Sequence, residues 1–421
     1  MLNIFGVIIA FLVVILLIRK KINFGISLLI GSLILGLFSL QIIEPIQIPK
    51  AIIQASFYSF TEQQFFTETL ELGLLMTIIF ILAKSMKETK AITKLIESLQ
   101  TFFSNGGTLG VIPAVYGLMP IPGGALFSAP LIHEEGEKFH LDKNKKNFLN
   151  VWFRHIWFPI YPISSAMILL CSEKFSNINI YHLVLYNIPA FIISISIGLW
   201  YLKKFIKRTT MAEENLTKNY KGLIYLIPPI FPLIIYAILQ PFGIPQIRSF
   251  LIGIICSIII LYFLISIPIK EYLQIIKKSI TWKLMAAIFG IMIFREMFDI
   301  SQANTLLIKV IESLPIAPLL LIILVPFLFG ILTGYNLGAI ALSYFFIQPF
   351  FEFTGLNIIS LSSIIFISSL AGYLISPIHL CNVLSSEYLQ TDTTRMYKIY
   401  LPAVFVLLFS HTFFIIIISL I

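Results

Sequence analysis

The chain has 421 residues, of which 58% are hydrophobic and 12% are charged, and its formal net charge is +9. Soluble domains carry about 25% charged residues, because polar side chains must cover their surface. The composition therefore excludes soluble, disordered and disulfide-scaffold proteins. The apolar runs are about 15–22 residues long, which fits membrane-spanning helices better than barrel strands of about ten. We predict an all-α polytopic membrane protein embedded in a lipid bilayer.

Taken in chain order, ten segments are predicted to span the membrane. They are Leu2–Ile18, Phe24–Gln41, Phe65–Met86, Asn147–Leu170, Tyr181–Leu202, Gly222–Leu239, Ser249–Ile267, Ile280–Phe298, Asn357–Ile375 and Tyr397–Ile421. Four shorter amphipathic or semi-polar segments are expected at the membrane surface. They are Pro45–Phe60, Lys90–Thr101, Pro268–Ser279 and Gln302–Ser313.

Two further segments, at about 105–134 and 314–351, are apolar but interrupted midway by glycine or proline. An interrupted apolar segment suits a re-entrant hairpin better than one straight helix. Two of the spanning segments, at about 147–173 and 357–388, also contain internal prolines. Proline cannot continue the helical hydrogen bonding, so we predict that these two helices are broken.

The distribution of Lys and Arg predicts the orientation. With the N-terminus outside, the cytoplasmic segments hold 23 basic residues and the outside segments hold 4. Cytoplasmic loops carry such an excess of basic residues, so both termini are expected on the outer side of the cytoplasmic (inner) membrane. The same excess explains the net positive charge, so no nucleic-acid partner is expected. The scattered cysteines (Cys171, Cys256, Cys381) and the six histidines show no spacing typical of a metal site.

The second half of the chain repeats the first. Lys94–Gln100 (KLIESLQ) matches Lys309–Pro315 (KVIESLP) at an offset of 215 residues, and further matches follow in the same order. Each half contains five predicted spans, so the two copies run in opposite directions through the membrane. We predict two inverted repeats, residues 1–210 and 211–421, which is the plan of many secondary transporters.

Four motifs resemble one known family over nearly the whole chain. They are Leu118–Pro130 (LMPIPGGALFSAP), Asn150–Trp157 (NVWFRHIW), Pro159–Pro162 (PIYP) and Ser376–Cys381 (SPIHLC). They are similar to the uncharacterised prokaryotic membrane family called domain of unknown function 401, within the ion-transporter superfamily of divalent-anion/sodium symporters, gluconate and citrate permeases and arsenite pumps. The resemblance implies a two-hairpin fold, a scaffold joined to a moving transport domain, and a homodimer. It implies no substrate, since the serine-asparagine-threonine hairpin tips of dicarboxylate symporters are absent.

The first hairpin carries Pro120 and Pro122, which stop a helix, and Gly123 and Gly124, which allow a tight reversal. The returning arm then presents free N–H groups at its N-terminus, and these favour an anion. The alternative is a bend that only packs. In the broken helix that follows, the freed carbonyls and the hydroxyls near Tyr161 are hard oxygen ligands suited to Na⁺. The alternative there is a proline kink whose carbonyls are satisfied by neighbouring helices.

The second hairpin and second broken helix repeat these devices. Asn336, at a glycine-flanked turn, is the best single candidate for contacting a polar ligand, although it could instead cap the turn. The candidate substrate-binding residues are Pro122, Gly123, Gly124, Ser128, Arg154, Ser164, Ser165, Thr333, Asn336, Gly338, Ser376 and His379. The candidate ion-coupling residues are Pro120, Tyr161, Ser165, Thr333, Asn336 and Ser376.

An arginine inside a span is costly unless it is paired, so Arg154 is a candidate for function. It could attract an anionic group, hold a hairpin carbonyl, or extend back to the cytoplasmic face. His155 and His379 could relay protons or serve as ordinary hydrogen-bonding residues. Arg295 and Asp299 have the spacing of an i, i+4 ion pair.

The chain contains no HExxH, Walker A, Rossmann or Gly-x-Ser-x-Gly motif, so an enzyme is not expected. The leading hypothesis is a secondary active transporter for a small anionic metabolite, working by alternating access and coupled to Na⁺ or H⁺, with no cofactor beyond Na⁺ as a coupling ion. The alternative is a cation/proton antiporter of the same fold, which would be expected to carry acidic residues at mid-span. A membrane-embedded enzyme or lipid-handling protein is a third class and lacks an identifiable catalytic dyad.

Overall fold

The computed structural model describes residues 2–103, 106–119, 123–206, 218–302, 305, 308–309 and 317–420. Most of these residues are helical. The helices are α1 (Leu2–Arg19), α2 (Phe24–Phe38), α3 (Gln47–Ser56), α4 (Glu68–Glu88), α5 (Ala91–Gln100), α6 (Thr108–Gly117), α7 (Ala125–Lys138), α8 (Lys143–His155), α9 (Ser165–Cys171), α10 (Ile180–Phe205), α11 (Ile227–Leu239), α12 (Gln246–Leu264), α13 (Ile269–Ser279), α14 (Trp282–Ile300), α15 (Pro318–Thr333), α16 (Asn336–Ile347), α17 (Ile358–Ile375), α18 (Leu380–Leu389) and α19 (Thr393–Leu420).

Three short 3₁₀ helices and one small hairpin complete the described secondary structure. The 3₁₀ segments Lys221–Leu226 and Gln240–Phe242 flank α11, and Gln348–Thr354 follows α16. The strands β1 (Tyr58–Ser59) and β2 (Gln64–Phe65) pair antiparallel between α3 and α4.

Seven stretches of the described chain are long and apolar enough to cross a membrane. They are Glu68–Glu88, Ile180–Phe205, Lys221–Phe242, Gln246–Leu264, Asn336–Thr354, Ile358–Leu389 and Thr394–Ser419. Large apolar side chains such as Leu185, Phe263 and Phe409 are exposed on these helices. Helices satisfy their own backbone groups, so an apolar exterior of this kind suits lipid. The protein is therefore all-α and membrane-embedded, as predicted.

Side-chain caps explain where several helices begin. The Asp142 carboxylate accepts hydrogen bonds from the N–H groups of Asn144 and Lys145 at the start of α8. Asn179 caps α10 and Asn357 caps α17 in the same way. These residues satisfy backbone donors that have no partner inside the first turn.

The described helices lie close to the predicted segments, with two local differences. Phe65 was expected to begin a span, but it lies in β2 opposite Tyr58, and α4 begins only at Glu68. The predicted span Gly222–Leu239 starts as a 3₁₀ helix, because Pro228 and Pro229 restrict the backbone hydrogen bonding there. Most of the predicted surface helix Gln302–Ser313 lies outside the described residues.

The helices pack into two groups. One contains α1–α4 and α11–α14, and the other contains α6–α10 and α15–α19. In the first group, Gly25 of α2 lies so close to α14 that a Cβ there would overlap the backbone of Ala286. In the second, Gly372 of α17 approaches the Phe327 carbonyl of α15 in the same way. Such glycine contacts allow membrane helices to approach at backbone distance.

Candidate functional site

Four interruptions of helical backbone lie within the second group of helices. The first tip joins α6 to α7, and its described residues are Leu118, Met119, Gly123 and Gly124; Pro120 and Pro122, predicted site residues, lie outside the described chain. The first break is residues 156–164, between α8 and α9. The second tip is residues 334–335, between α15 and α16, and the second break is residues 376–379, between α17 and α18.

Arg154 connects the first tip to the end of α8. Its guanidinium is 3% exposed and donates hydrogen bonds to the carbonyls of Tyr116 (2.7 Å) and Met119 (3.2 Å). A Cβ at Gly124 would collide with this guanidinium. Of the roles considered for Arg154, the contacts show that it holds hairpin carbonyls. Its positive charge is thereby fixed beside the start of α7.

A second polar cross-link joins the first hairpin to α8 and α18. Ser128 donates to the Asn150 side-chain oxygen at 2.5 Å, and the Asn150 amide donates to the Ala125 carbonyl (2.9 Å) and to the Ser385 hydroxyl (2.8 Å). One turn earlier, Asn147 donates to Asn382 at 3.0 Å. Ser128, a predicted substrate-binding residue, is therefore already bonded within the protein.

The first break is largely satisfied by the protein itself. Ser164 caps α9, since its hydroxyl accepts from the Met167 N–H at 3.3 Å. The Pro159 carbonyl accepts from the Asn187 amide at 2.9 Å. Tyr161, a predicted ion-coupling residue, donates to the Pro229 carbonyl at 3.5 Å and so contacts α11.

At the second tip, Gly334 has a φ of 60°, which glycine adopts without strain. Thr333 donates to the Phe329 carbonyl at 2.7 Å. Asn336 is 4% exposed; its side-chain oxygen accepts from Ser369 at 2.7 Å, whereas its amide nitrogen is buried without a hydrogen-bond partner. A buried donor without a partner is costly, so Asn336 stands out among the predicted residues.

Two other predicted residues of the second half have structural neighbours. A Cβ at Gly338 would contact the Phe24 ring, so Gly338 packs against α2. Ser376 donates to the Ile331 carbonyl at 2.6 Å and ties the second break to α15.

The four interruptions touch one another, and we call the place where they meet the central junction. Gly123 lies against Leu380 at the start of α18, and Gly334 lies against the backbone of Ile378. The Ser165 side chain lies beside the Tyr335 hydroxyl, which brings the start of α9 close to the second tip. The rings of His155, just before the first break, and of His379, in the second break, have centroids 4.9 Å apart. Residues far apart in sequence thus share one buried region.

Three helices begin at the central junction without a side-chain cap. They are α7, α16 and α18, which follow Gly124, Tyr335 and His379. Their first N–H groups carry the partial positive charge of a helix N-terminus. Together with the Arg154 guanidinium, these ends favour an anionic group.

Sequence reasoning missed part of the junction. Cys381 lies beside both imidazoles, and the donor atoms of His155, His379 and Cys381 are all within 4.8 Å of one another. The Tyr373 ring lies against that of His379, with ring centroids 3.9 Å apart and the ring planes tilted by 44°. Spacing along the chain does not reveal this cluster, because its members come from opposite halves. The repeated i, i+3 asparagines Asn147 and Asn150 were a usable signal, since such a pair forms a polar stripe on one face of a helix.

A pocket of about 640 Å³ opens at the far end of α9. It is lined by Cys171 at the end of that helix and by Glu173 and Lys174 just after it. The ion pair of Glu71 and Arg248, whose closest atoms are 3.0 Å apart, also lines it. Since α9 has seven residues, the pocket lies about 10 Å from the first break along the helix axis.

Comparison with known proteins identifies a family. No curated protein is similar to the chain at a significant level. The model of a family described as "Protein of unknown function (DUF401)" matches residues 2–417. Because that match covers nearly the whole sequence, the chain belongs to the DUF401 family of proteins of unknown function.

Proposed function

We propose that this protein is a secondary active transporter that moves a small anionic metabolite across the cytoplasmic membrane by alternating access. The observation that carries the proposal is the central junction, where four interruptions of helical backbone meet inside an apolar protein. Backbone is left non-helical at membrane depth only where protein or a polar cavity satisfies it. Broken helices meeting in this way form the substrate sites of transporters. The substrate leaves unchanged, so the proposal involves no enzymatic step.

The inverted-repeat topology is part of this proposal: ten spans and two re-entrant hairpins, with both termini outside. Corresponding helices in the two halves begin at matching positions. The starts of α8 and α17, Lys143 and Ile358, are 215 residues apart, and so are the starts of α9 and α18, Ser165 and Leu380. This is the offset of the sequence repeat, and it supports membership of the ion-transporter superfamily.

The anion preference follows from charge. The uncapped ends of α7, α16 and α18 and the buried Arg154 all contribute positive potential to the junction. The Asn336 amide offers a further N–H donor. A carboxylate or similar oxyanion would accept from these groups.

Coupling to Na⁺ or H⁺ would supply the driving force. Na⁺ would bind to carbonyl oxygens of the first break other than that of Pro159, which already accepts from Asn187. His155 and His379 are imidazoles at the junction that would carry the coupled proton.

The two packed groups of helices suggest which parts move. The tips and breaks belong to the group formed by α6–α10 and α15–α19, which would act as the transport domain. The group formed by α1–α4 and α11–α14 would be the scaffold, and would also hold the interface of a homodimer. Close glycine contacts, such as that of Gly25 with the Ala286 backbone, suit a rigid scaffold.

A cation/proton antiporter is the second candidate function. The buried imidazoles of His155 and His379 favour it, because a proton could exchange there for a cation. Against it, the positive helix ends at the same place favour an anion as the transported species.

Transport assays with purified protein in proteoliposomes separate these functions. A panel of mono-, di- and tricarboxylates is tested for uptake with an imposed Na⁺ gradient, with a pH gradient, and with neither. Saturable anion uptake driven by one gradient supports the proposal. Cation-driven proton release without uptake of any anion supports the antiporter and overturns it.

A matched pair of variants ties the activity to the junction. Asn336→Ala should lower uptake at least about tenfold, because the substrate would lose one hydrogen bond from the Asn336 amide. The control Asn219→Ala removes an exposed asparagine whose side-chain oxygen accepts from the nearby Lys221 N–H, and this variant should transport like the unmodified chain. Equal uptake by both variants would exclude Asn336 from the path.

A further inference from the structure

Three metal-binding side chains from opposite halves of the chain meet at the central junction. His155 ends α8, whereas His379 and Cys381 lie at the start of α18. All three are buried, at 3%, 0% and 3% exposure, and their donor atoms lie within 4.8 Å of one another. Two imidazoles and a thiol are a typical ligand set for a borderline-soft transition metal.

His379 gives the cluster a direct sign of a missing ligand. Its ring nitrogens make no well-formed hydrogen bond, although the side chain is completely buried and the Cys381 thiol and the Leu374 backbone lie near them. Its ring is held between the rings of Tyr373 and His155, with centroids 3.9 and 4.9 Å away. A buried imidazole normally bonds through at least one nitrogen, so a ligand here would satisfy an otherwise costly group.

His155 is oriented as a metal ligand would be. Its Nδ1 lies 2.6 Å from the Val151 carbonyl, which can only accept, so Nδ1 carries the proton. Its Nε2 therefore presents a lone pair, which faces the Tyr373 hydroxyl at 3.2 Å. Histidine ligands of metals commonly donate their other nitrogen to a backbone carbonyl, since this fixes the tautomer and the ring.

We propose that His155, His379 and Cys381 bind a transition-metal ion of the Zn²⁺ type. Donor atoms of a tetrahedral zinc site lie roughly 3.3–3.8 Å apart, so movements of about 1 Å would close the present cluster around an ion. The three side chains leave the fourth position to the Tyr373 oxygen, a water molecule or an anionic substrate. The inference concerns binding alone and does not depend on transport.

The first test is zinc binding to the full-length purified protein in detergent, measured by equilibrium dialysis against a zinc buffer. We expect about one Zn²⁺ per chain. Cys381→Ala and His379→Ala should each weaken binding at least about tenfold. The controls Cys256→Ser and His182→Ala change a cysteine and an exposed histidine outside the cluster, and they should bind as the unmodified chain does. Binding that is unaffected by Cys381→Ala overturns the proposal.

A spectroscopic test needs no variant and so does not depend on how the variants fold. Co²⁺ replaces Zn²⁺ in most such sites, and a thiolate ligand gives sulfur-to-cobalt charge-transfer absorption in the near ultraviolet. We expect this band to appear on titration with Co²⁺ and to disappear when excess Zn²⁺ is added. Absence of the band from the unmodified chain overturns the proposal, whatever transport assays show.

Discussion

The two broken helices differ in how completely the protein satisfies them. In the first break, Ser164 caps α9 and Asn187 bonds the Pro159 carbonyl, while Arg154 next to the break holds two hairpin carbonyls. In the second break, His379 stands at the uncapped start of α18, and its buried ring nitrogens make no well-formed hydrogen bond. The first break is thus held by the protein, and the second is open to a ligand. Proline positions alone do not distinguish them, because both breaks contain proline.

The largest expected effect concerns Arg154, next to the first break, which the protein itself satisfies. Arg154→Gln should lower the free energy of unfolding by about 4 kcal/mol, because two buried carbonyls lose charged donors. The measurement is the melting temperature in detergent. The control Arg395→Gln removes an arginine whose side chain is 76% exposed, and it should cost less than about 0.5 kcal/mol. Equal melting temperatures for the two variants would show that Arg154 does not hold the first tip.

Gly334→Ala tests whether the second tip depends on close contact with the second break. Its φ of 60° and that of Gly355, 70°, both disfavour alanine by about 1 kcal/mol. A Cβ at Gly334 would also lie 2.9 Å from the Ile378 backbone, whereas one at Gly355 would meet nothing within 4 Å. Gly334→Ala should therefore cost about 2 kcal/mol more than Gly355→Ala in thermal unfolding. Similar losses would mean that the contact is not needed.

Two buried asparagines sharpen the comparison further. Asn187 bonds the Pro159 carbonyl and accepts from Ser363 at 2.7 Å, so Asn187→Ala should cost about 2 kcal/mol. Asn336→Ala removes one hydrogen bond and also an unpartnered donor, so its cost in stability should be below about 1 kcal/mol. Thermal unfolding of both variants measures the difference. A larger loss from Asn336→Ala would place the structural role at the second tip instead.

The smallest effect is a pH dependence at the C-terminal end of α7. The Lys146 ammonium donates to Glu137 at 2.5 Å and holds the pKa of that carboxyl below its ordinary value of 4.5. A lowered pKa adds stability above pH 4.5 that is lost as the pH falls through the pKa of the folded state. The melting temperature of Glu137→Gln should therefore lie slightly below that of the unmodified chain at pH 7, and the two should converge in acid. The control Glu134→Gln changes an exposed glutamate of the same helix and should show no such convergence.

Hydropathy and helix breakers were sufficient to predict most of the fold. The predicted span Asn357–Ile375 and helix α17 differ by one residue at the start, because the apolar run and the Asn357 cap coincide. The interruptions were also predictable, since proline and glycine act locally. The partners across the junction were not, because Ser165 with Tyr335 and His155 with Cys381 are joined only by tertiary packing. Arg154 illustrates the limit of sequence reasoning. The energetic cost of placing it in lipid was evident from the sequence, but only the structure shows whether its guanidinium bonds a ligand or a hairpin carbonyl.

The asparagine links between α8 and α18 have a consequence for how the chain can be divided. Asn147 and Asn150 of the first half find their partners in Asn382 and Ser385 of the second, so neither half completes its own polar interior. A fragment ending after α10 would expose those amides to lipid and should be degraded when produced alone. Two fragments produced together, each supplying what the other lacks, should assemble into one stable unit inside the membrane.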